Sequence, residues 1–346
     1  MNIKVSSYTL ELTRQLSLGD QKYSTINGFV IRIIDGDTTG YGEISLLPEW
    51  TETHAHCADL LETIPSTCDE TIINKISKLP SAPATQFGLS LALADVYSKQ
   101  QNTSLRRFLN PSMSQNTLAV NATIPNDESA SMIQQAQLSV NEGFSCLKIK
   151  LGSRSIDTAI DLLNQIQTKL PQSVEFRVDL NERWDDFSHE QIGRFYDHTN
   201  VAYLEQPLAR DNLEGHQTLH DSDIPIALDE SLIENNPHTL IDEIDMDFII
   251  LKPMIIGTIS DVFQLGKAAK DHSVTPIVST TYDGGIARIA TAQIGAALGL
   301  TDACGINTGT VLSSDIIAGT PEIHQGTLTL PQQNGNGISS LKSNYA

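Results

Sequence analysis

Cys-Leu-Lys-Ile-Lys (146–150), Glu-Phe-Arg-Val-Asp (175–179), Val-Ala-Tyr-Leu-Glu (201–205), Pro-Ile-Ala-Leu-Asp (225–229) and Phe-Ile-Ile-Leu-Lys (248–252) are five short apolar stretches, each closed by a charge. The closing charges, Lys150, Asp179, Glu205, Asp229 and Lys252, stand 29, 26, 24 and 23 residues apart. An interval of about 25 residues holds one strand, one turn and one helix, and its repetition gives βαβα order and a parallel sheet. Side chains at the carboxyl ends of parallel strands converge on one rim, where α/β barrels carry their active sites. The repeat therefore predicts an α/β barrel whose rim gathers two ammonium groups and three carboxylates. That combination reads as a metal site flanked by two bases.

Outward from this stretch, helical patterns occupy about 128–142, 155–169, 188–199, 211–221, 234–243, 258–272 and 285–299. A strand at Thr117 to Thr123 opens the repeat, and strands at Thr275 to Thr281 and Ala303 to Thr308 complete eight. The barrel is assigned to residues 113–317. Before it, Val5 to Leu12 alternates, Gly28 to Ile34 is β-branched and apolar, and Asp35-Gly36 marks a turn. The glycines of Gly40-Tyr-Gly-Glu43 suit a close backbone approach. Ala84 to Gln100 is helical, with Phe87, Leu91, Ala94, Ala92 and Val96 on its buried stripe. Residues 1–112 thus form an α+β domain, joined to the barrel through the polar stretch Asn110 to Asn116. Residues 318–346 return to that first domain, with Thr327 to Leu330 as a strand and the Asn/Gly-rich Gln333 to Gly337 expected to be mobile.

Acidic residues outnumber Lys plus Arg by 42 to 22, a formal charge of −20. Such a surface repels phosphate backbones and anionic lipid, so nucleic acid and membrane partners are not expected. The four cysteines, Cys57, Cys68, Cys146 and Cys304, show no Cys-x-x-Cys spacing and read as reduced thiols. The N-terminus lacks a signal peptide's apolar region, and no apolar run approaches the ~20 residues of a spanning helix. A cytoplasmic location is expected, with the oligomeric state left open.

Any one of Asp179, Glu205 and Asp229 alone would read as a helix cap or an ion-pair partner. Three at successive strand ends present hard oxygen donors to one point and suit Mg²⁺, with Mn²⁺ as an alternative. Histidine and cysteine are missing from these strand ends, which argues against zinc. Lys150 and Lys252 end strands on either side of the triplet and should face one another. A proton next to a carboxylate is removed only if a cation holds the resulting enediolate. An ammonium beside a divalent ion and a second ammonium, such as Lys148, has its pKa lowered and becomes a base near neutrality.

With these residues in place, the chain resembles the enolase superfamily, muconate-lactonizing subgroup. The resemblance rests on Lys148-Ile-Lys150, Asp179-Leu-Asn181, Glu205-Gln-Pro207, Asp229-Glu-Ser231, Lys252-Pro253 and Gly40-Tyr-Gly-Glu43, and covers nearly the whole chain. It implies an α+β capping domain over a modified (β/α)₇β barrel of the TIM type, and abstraction of a proton α to the carboxylate of a small-molecule substrate. It implies metal ligands at Asp179, Glu205 and Asp229, acid/base lysines at Lys150 and Lys252, and supporting roles for Lys148 and Asn181. The segments Lys252 to Gly257 and Ser279-Thr-Thr-Tyr-Asp-Gly-Gly285 look most like o-succinylbenzoate synthases, which dehydrate a cyclohexadiene carboxylate on the route to menaquinone. This places Ser279, Thr281, Asp283 and Gly284 near the substrate, with Asp283 where the common Ser-Ser-x-Glu-Ser form has Glu.

The subgroup hosts several reactions on one set of residues. Dipeptide epimerases and racemases of N-acylated amino acids are alternatives, as are muconate cycloisomerases and, from another class, a non-catalytic scaffold. The epimerases' Asp-x-Asp for an ammonium group is missing from Cys304-Gly-Ile-Asn-Thr-Gly309, and so is the cycloisomerases' nearby Glu. The backbone N–H groups of Gly284-Gly285, with Arg288, form a candidate carboxylate seat. Trp184 is a candidate pocket wall, and His54-Ala-His56-Cys57 reads as a polar helix face rather than a metal cluster. Loops at Leu16 to Lys22 and Leu47 to Thr53 are expected over the barrel mouth, with Leu16, Leu18 and Trp50 making the lid partly apolar.

Overall fold

A computed structural model of the chain describes residues 1–18 and 21–345. Strands β1 (Asn2–Leu18), β2 (Gln21–Asp35) and β3 (Thr38–Leu46) form an antiparallel sheet in chain order. Gly36, at φ +58°, makes the turn between paired Asp35 and Thr38, a backbone region that glycine enters without a Cβ penalty. The first expected loop is instead the end of the β1–β2 hairpin, where Leu16 pairs with Tyr23 and Leu18 with Gln21. Its centre, Gly19 and Asp20, lies outside the described residues.

Helix Pro83–Gln100 packs directly on β3. A Cβ on Gly42 would stand 1.9 Å from the Gly88 carbonyl oxygen, so the glycines of Gly40-Tyr-Gly-Glu43 let two backbones touch. The helix is buried well beyond its expected stripe, with Gly88, Ser90 and Asp95 also covered, because the barrel packs against its other side. There the Ile259 N–H donates to Ser90 Oγ at 3.0 Å.

The second sheet is wholly parallel. It runs through β5 (Ala122–Ile124), β6 (Cys146–Lys150), β7 (Glu175–Asp179), β8 (Leu204–Glu205), β9 (Ile226–Leu228), β10 (Phe248–Leu251) and β11 (Thr275–Val278), each beside the next. Helices lie between successive strands, as the repeat predicts. The eighth strand differs from expectation. Of Ala303 to Thr308, only Cys304 and Gly305 bridge, to Val120 and Ser279, and a 3₁₀ turn starts at Asn307. Those two bridges join Ser279, just after β11, to Val120, two residues before β5, and close the barrel. The opening stretch also divides, since β4 (Thr117–Ala119) leaves the barrel and pairs antiparallel with Thr327–Thr329.

Two parts of the C-terminal reading need correction. The strand at Thr327–Thr329 joins β4, not the first sheet. The tail expected to be mobile is tied down. Asn336 is fully buried, its N–H donates to Asp95 Oδ1 at 2.6 Å and its side-chain amide to the Ile286 carbonyl at 2.8 Å. A buried carboxylate on helix Pro83–Gln100 thereby orders a segment that composition alone reads as loose.

Alternation along each strand aims every second side chain into the barrel. The interior is filled by Tyr203, Ala227, Ile250 and Ile277, with the Arg177 guanidinium 5.2 Å from the Tyr203 ring. One layer higher stand the rim charges. The four cysteines are free, and among the described residues no helix is long and apolar enough to cross a membrane.

Candidate active site

Strand register assembles the rim. Lys150 pairs with Asp179 across β6–β7, and Asp179 with Glu205 across β7–β8. Asp229 follows β9 and Lys252 follows β10. The three carboxylates are essentially inaccessible. The Lys150 ammonium donates to Asp179 Oδ2 and Asn181 Oδ1, both at 2.8 Å. Lys148 bridges Asp179 Oδ2, at 2.9 Å, and Glu205 Oε1, at 2.5 Å. Lys252 holds Asp229 Oδ2 from the other end of the row.

A ring of polar side chains fixes this arrangement. Asn181, in the left-handed region at φ +43°, accepts from Lys150 and donates to Glu230 Oε1 at 2.9 Å. Gln206 Oε1 accepts from the Asp229 and Ser231 N–H groups at 2.9 and 3.1 Å, and its amide donates to Ser231 Oγ at 2.9 Å. The middle residue of Glu205-Gln-Pro207 thus pins Asp229-Glu-Ser231. Sequence reasoning passed over both Gln206 and Glu230, although both lie inside the quoted motifs.

The charges are strongly coupled. Burial works to raise the Asp179 pKa, but Lys148 and Lys150 override it and hold the carboxyl well below the usual range. Burial raises Glu205 to about 7, Lys148 opposing and the neighbouring Asp179 and Asp229 adding to the shift. Burial and Asp229 raise Glu230 to about 8. Among the protein's own groups the balance at Lys150 runs upward. Burial does work downward, yet the charge of Asp179 outweighs it and the pKa rises; Lys148, facing three carboxylates, rises further. The expected lowering presupposes a cation that neutralises those acids.

Above the rim lies a cavity of about 670 Å³, lined among others by Leu16, Trp50, Lys150, Asn181, Glu230 and Tyr282. Leu16 and Trp50 are the expected apolar cover. Lys150 opens onto the cavity with about 22% of its side chain exposed. Lys252 does not line it: only 5% of its side chain is exposed, and its ammonium sits 3.8 Å from the centroid of the Trp50 ring. The carboxylate row lies beneath the cavity floor as well.

The seventh-strand expectations shift by one residue. Tyr282, at φ +67°, lines the cavity, whereas Ser279, Thr281, Asp283 and Gly284 do not. Ser279 Oγ donates to the Gly305 carbonyl at 3.1 Å, and Thr281 Oγ1 to Asp283 Oδ1 at 2.6 Å. The candidate carboxylate seat is already filled. Glu43 Oε1 accepts from the Gly284 N–H at 2.6 Å and Oε2 from the Ala287 N–H at 2.9 Å, while Asp315 takes Gly285 and Arg288. A carboxyl group from the first domain therefore caps the start of helix Gly285–Ala297 by accepting its free N–H groups.

Burial is the main reason Glu43 rises to about 8 and its neighbour Asp283 to about 6. Both hold protons more tightly folded than unfolded, so the folded state binds more protons between the two pKa values and stability falls as pH rises through that window. For Glu43 the window runs from about pH 4.5 to about pH 8. Melting curves across it should show wild type losing on the order of a few kcal/mol more than Glu43→Gln. Parallel curves for the two proteins would refute this.

Other expectations resolve simply. Trp184 is fully buried and packs edge-on to Phe187 and Phe195, so it belongs to the core and not to a pocket wall. His54 stacks on Phe29, His56 reaches the Pro80 carbonyl and Cys57 is buried, which disperses that cluster. Among the described residues, one candidate ligand atom from each of His220, Asp221 and Asp245 at the surface lies within 4.8 Å of the others, a closeness that the rim carboxylates do not reach. Gln217 already bridges that trio's two aspartates. In the rim, Lys148 supplies the positive charge between Asp179 and Glu205.

The rim nonetheless fits a hard divalent cation by its chemistry. Three buried carboxylates adjoin one another, and Glu205 Oε2 is buried without a hydrogen-bond partner. A polar atom left so is an acceptor awaiting a cation or donor.

A closed parallel barrel under an α+β cap, with an acid row between two lysines, defines an architecture that known proteins share. Residues 131–342 match the family model described as enolase C-terminal domain-like, and residues 1–96 match that described as the MenC N-terminal domain. The chain belongs to the enolase superfamily, and a dipeptide epimerase of the same fold from Enterococcus faecalis V583, 22% identical with TM-score 0.88, is complexed with Mg and a dipeptide. Among its relatives, the o-succinylbenzoate synthase of Desulfotalea psychrophila is 28% identical over 240 residues, 68% of this chain and 64% of that protein. Protein PHYLLO, chloroplastic, of Arabidopsis thaliana is 22% identical over 321 residues, which are 82% of this chain but 18% of that protein. The matches thus span less than two thirds of either relative. The substrate-liganded L-Ala-D/L-Glu epimerase from Bacillus subtilis has the same fold, with TM-score 0.89 and 22% identity over 99% of each chain.

Proposed function

We propose that the protein is a Mg²⁺-dependent dehydratase of the o-succinylbenzoate synthase kind, acting on a cyclohexadiene carboxylate in menaquinone biosynthesis. The observation that carries this reading is the inequality of the two lysines. Lys150 opens onto the cavity, while Lys252 is covered by Trp50. A syn-elimination needs one lysine that works twice on one face of the substrate, whereas racemisation needs a lysine free on each face. The stretch Cys304 to Gly309 adds support, since it offers no carboxylate to a substrate ammonium.

Asp179, Glu205 and Asp229 would hold Mg²⁺, or Mn²⁺ in its place, and the bound ion would supply positive charge to the substrate carboxylate. Lys150, as the neutral amine, takes the α-proton and then returns a proton to the departing hydroxide on the same face, so that water leaves. Lys252 remains an ammonium beside the developing negative charge. Lys148 and Asn181 position Asp179 and Lys150 through the contacts described above. Thr281 and Asp283 brace the strand end that presents Tyr282.

A racemase of N-acylated amino acids is the second reading, favoured by the placement of the two lysines at opposite ends of the acid row. Incubation with each substrate class in D₂O separates the two. Loss of the cyclohexadiene chromophore without inversion of an N-acyl amino acid is expected. Inversion without dehydration would replace the leading reading by the second.

A further inference from the structure

We infer that Trp50 is the residue that restricts this site to one working lysine, and that removing its ring releases a latent two-base activity toward N-acylated amino acids. The inference rests on the one-base reading above and names the side chain that enforces it.

Trp50 is a built obstacle and not a passing rotamer of a free loop. Its segment is a tight turn, with the Trp50 and Thr51 N–H groups donating to the Leu47 carbonyl at 2.7 and 2.8 Å. Thr51 Oγ1 accepts from the Leu47 N–H at 2.8 Å. The next residue, Glu52, is buried, and its carboxylate takes the Thr85 N–H and hydroxyl, both at 2.6 Å, and the Ala84 N–H at 3.2 Å. Those are the first free N–H groups of helix Pro83–Gln100, so the turn is anchored to the most buried helix of the first domain.

From this anchored turn the indole lies across the Lys252 ammonium at 3.8 Å and presents its other side to the cavity. A flat ring on a cation is favourable on its own account. The contact also stops the amine from rising to the level of the Lys150 amine, which does line the cavity. The effect is steric, and it leaves the charge of Lys252 free to act from below. With the ring gone, Lys252 could extend into the space it leaves. A proton taken from the α-carbon by the Lys150 amine would then be replaced on the opposite face by one from the Lys252 ammonium, inverting the centre with no net change in composition.

The test uses the full chain with Mg²⁺ and follows an N-acetyl amino acid in D₂O by proton NMR and chiral chromatography. Wild type should exchange the α-proton of one enantiomer and retain configuration. Trp50→Ala should raise the ratio of inversion to exchange at least tenfold, Trp50→Phe should keep the wild-type ratio, and Trp50→Ala/Lys252→Ala should return that ratio to the wild-type value at whatever exchange rate it retains. An unchanged ratio in Trp50→Ala would overturn the inference.

Wild type that already inverts would overturn both this inference and the one-base reading. Wild type that neither dehydrates nor exchanges would overturn the reading alone, and a second readout independent of turnover then decides. Acylation of Lys252 relative to Lys150 by a small anhydride, followed by mass spectrometry, should rise at least tenfold in Trp50→Ala and in the milder Trp50→Leu. No rise in a folded variant would overturn the inference by itself.

Discussion

Lys150→Ala is expected to lower kcat by roughly 10³–10⁴-fold, at the upper end of what a single proton-transfer group contributes. The size follows from the double duty proposed for this lysine, which both removes the α-proton and assists the leaving hydroxide. Lys252 is covered by Trp50 and does not substitute for it. The loss should fall on kcat and not on folding. Asp179 keeps Lys148 at 2.9 Å, so no buried carboxylate is stranded, and Asn181 keeps Glu230. Lys150→Arg separates charge from proton transfer, because it preserves the cation but cannot become a neutral base. Both variants should be inactive with near-native melting temperatures, and small primary amines should partly restore Lys150→Ala alone. Activity of Lys150→Ala within tenfold of wild type would remove Lys150 from the chemistry.

The phase of the barrel was readable because its five central strands announce themselves twice, by an apolar run and by the charge that closes it. Helices between those ends were placed to within a few residues for the same reason. What stayed hidden depends on partners far away in the chain. The eighth strand is two bridges at Cys304 and Gly305, too short to leave a periodic pattern. Gly284 reads as an open helix start until Glu43, 241 residues away, is seen to occupy its N–H. The tail reads as loose until Asp95, also 241 residues distant, fixes Asn336. Trp184 and Trp50 show the same limit from opposite sides. One sits beside the rim motifs and is core, while the other comes from the first domain and touches a rim lysine. An aromatic's neighbours in sequence do not say which surface its ring will meet.

Glu205→Gln should weaken Mg²⁺ binding by more than the roughly 10–100-fold that changes around a metal's ligands produce, since it removes a charged donor outright. Glu205 stands at the centre of the row between Asp179 and Asp229, and its Oε2 is the buried oxygen without a partner. The amide keeps the shape, and Lys148 keeps its contact with Asp179, so the fold should persist. Without metal the variant should melt at or above wild type, because burial beside two like charges disfavours the ionised Glu205. Adding Mg²⁺ should reverse that order. Saturation at about 100 times Kd stabilises a binding-competent protein by about 2.7 kcal/mol, and Glu205→Gln should gain little of it. Asp221→Asn is the matched control, because it removes one carboxylate from the surface trio of His220, Asp221 and Asp245 and leaves the rim intact. Titration calorimetry on the three proteins should find wild type and Asp221→Asn alike and Glu205→Gln defective. The reverse order would move the ion from the barrel rim to the surface and take with it the cation that the proposed elimination requires.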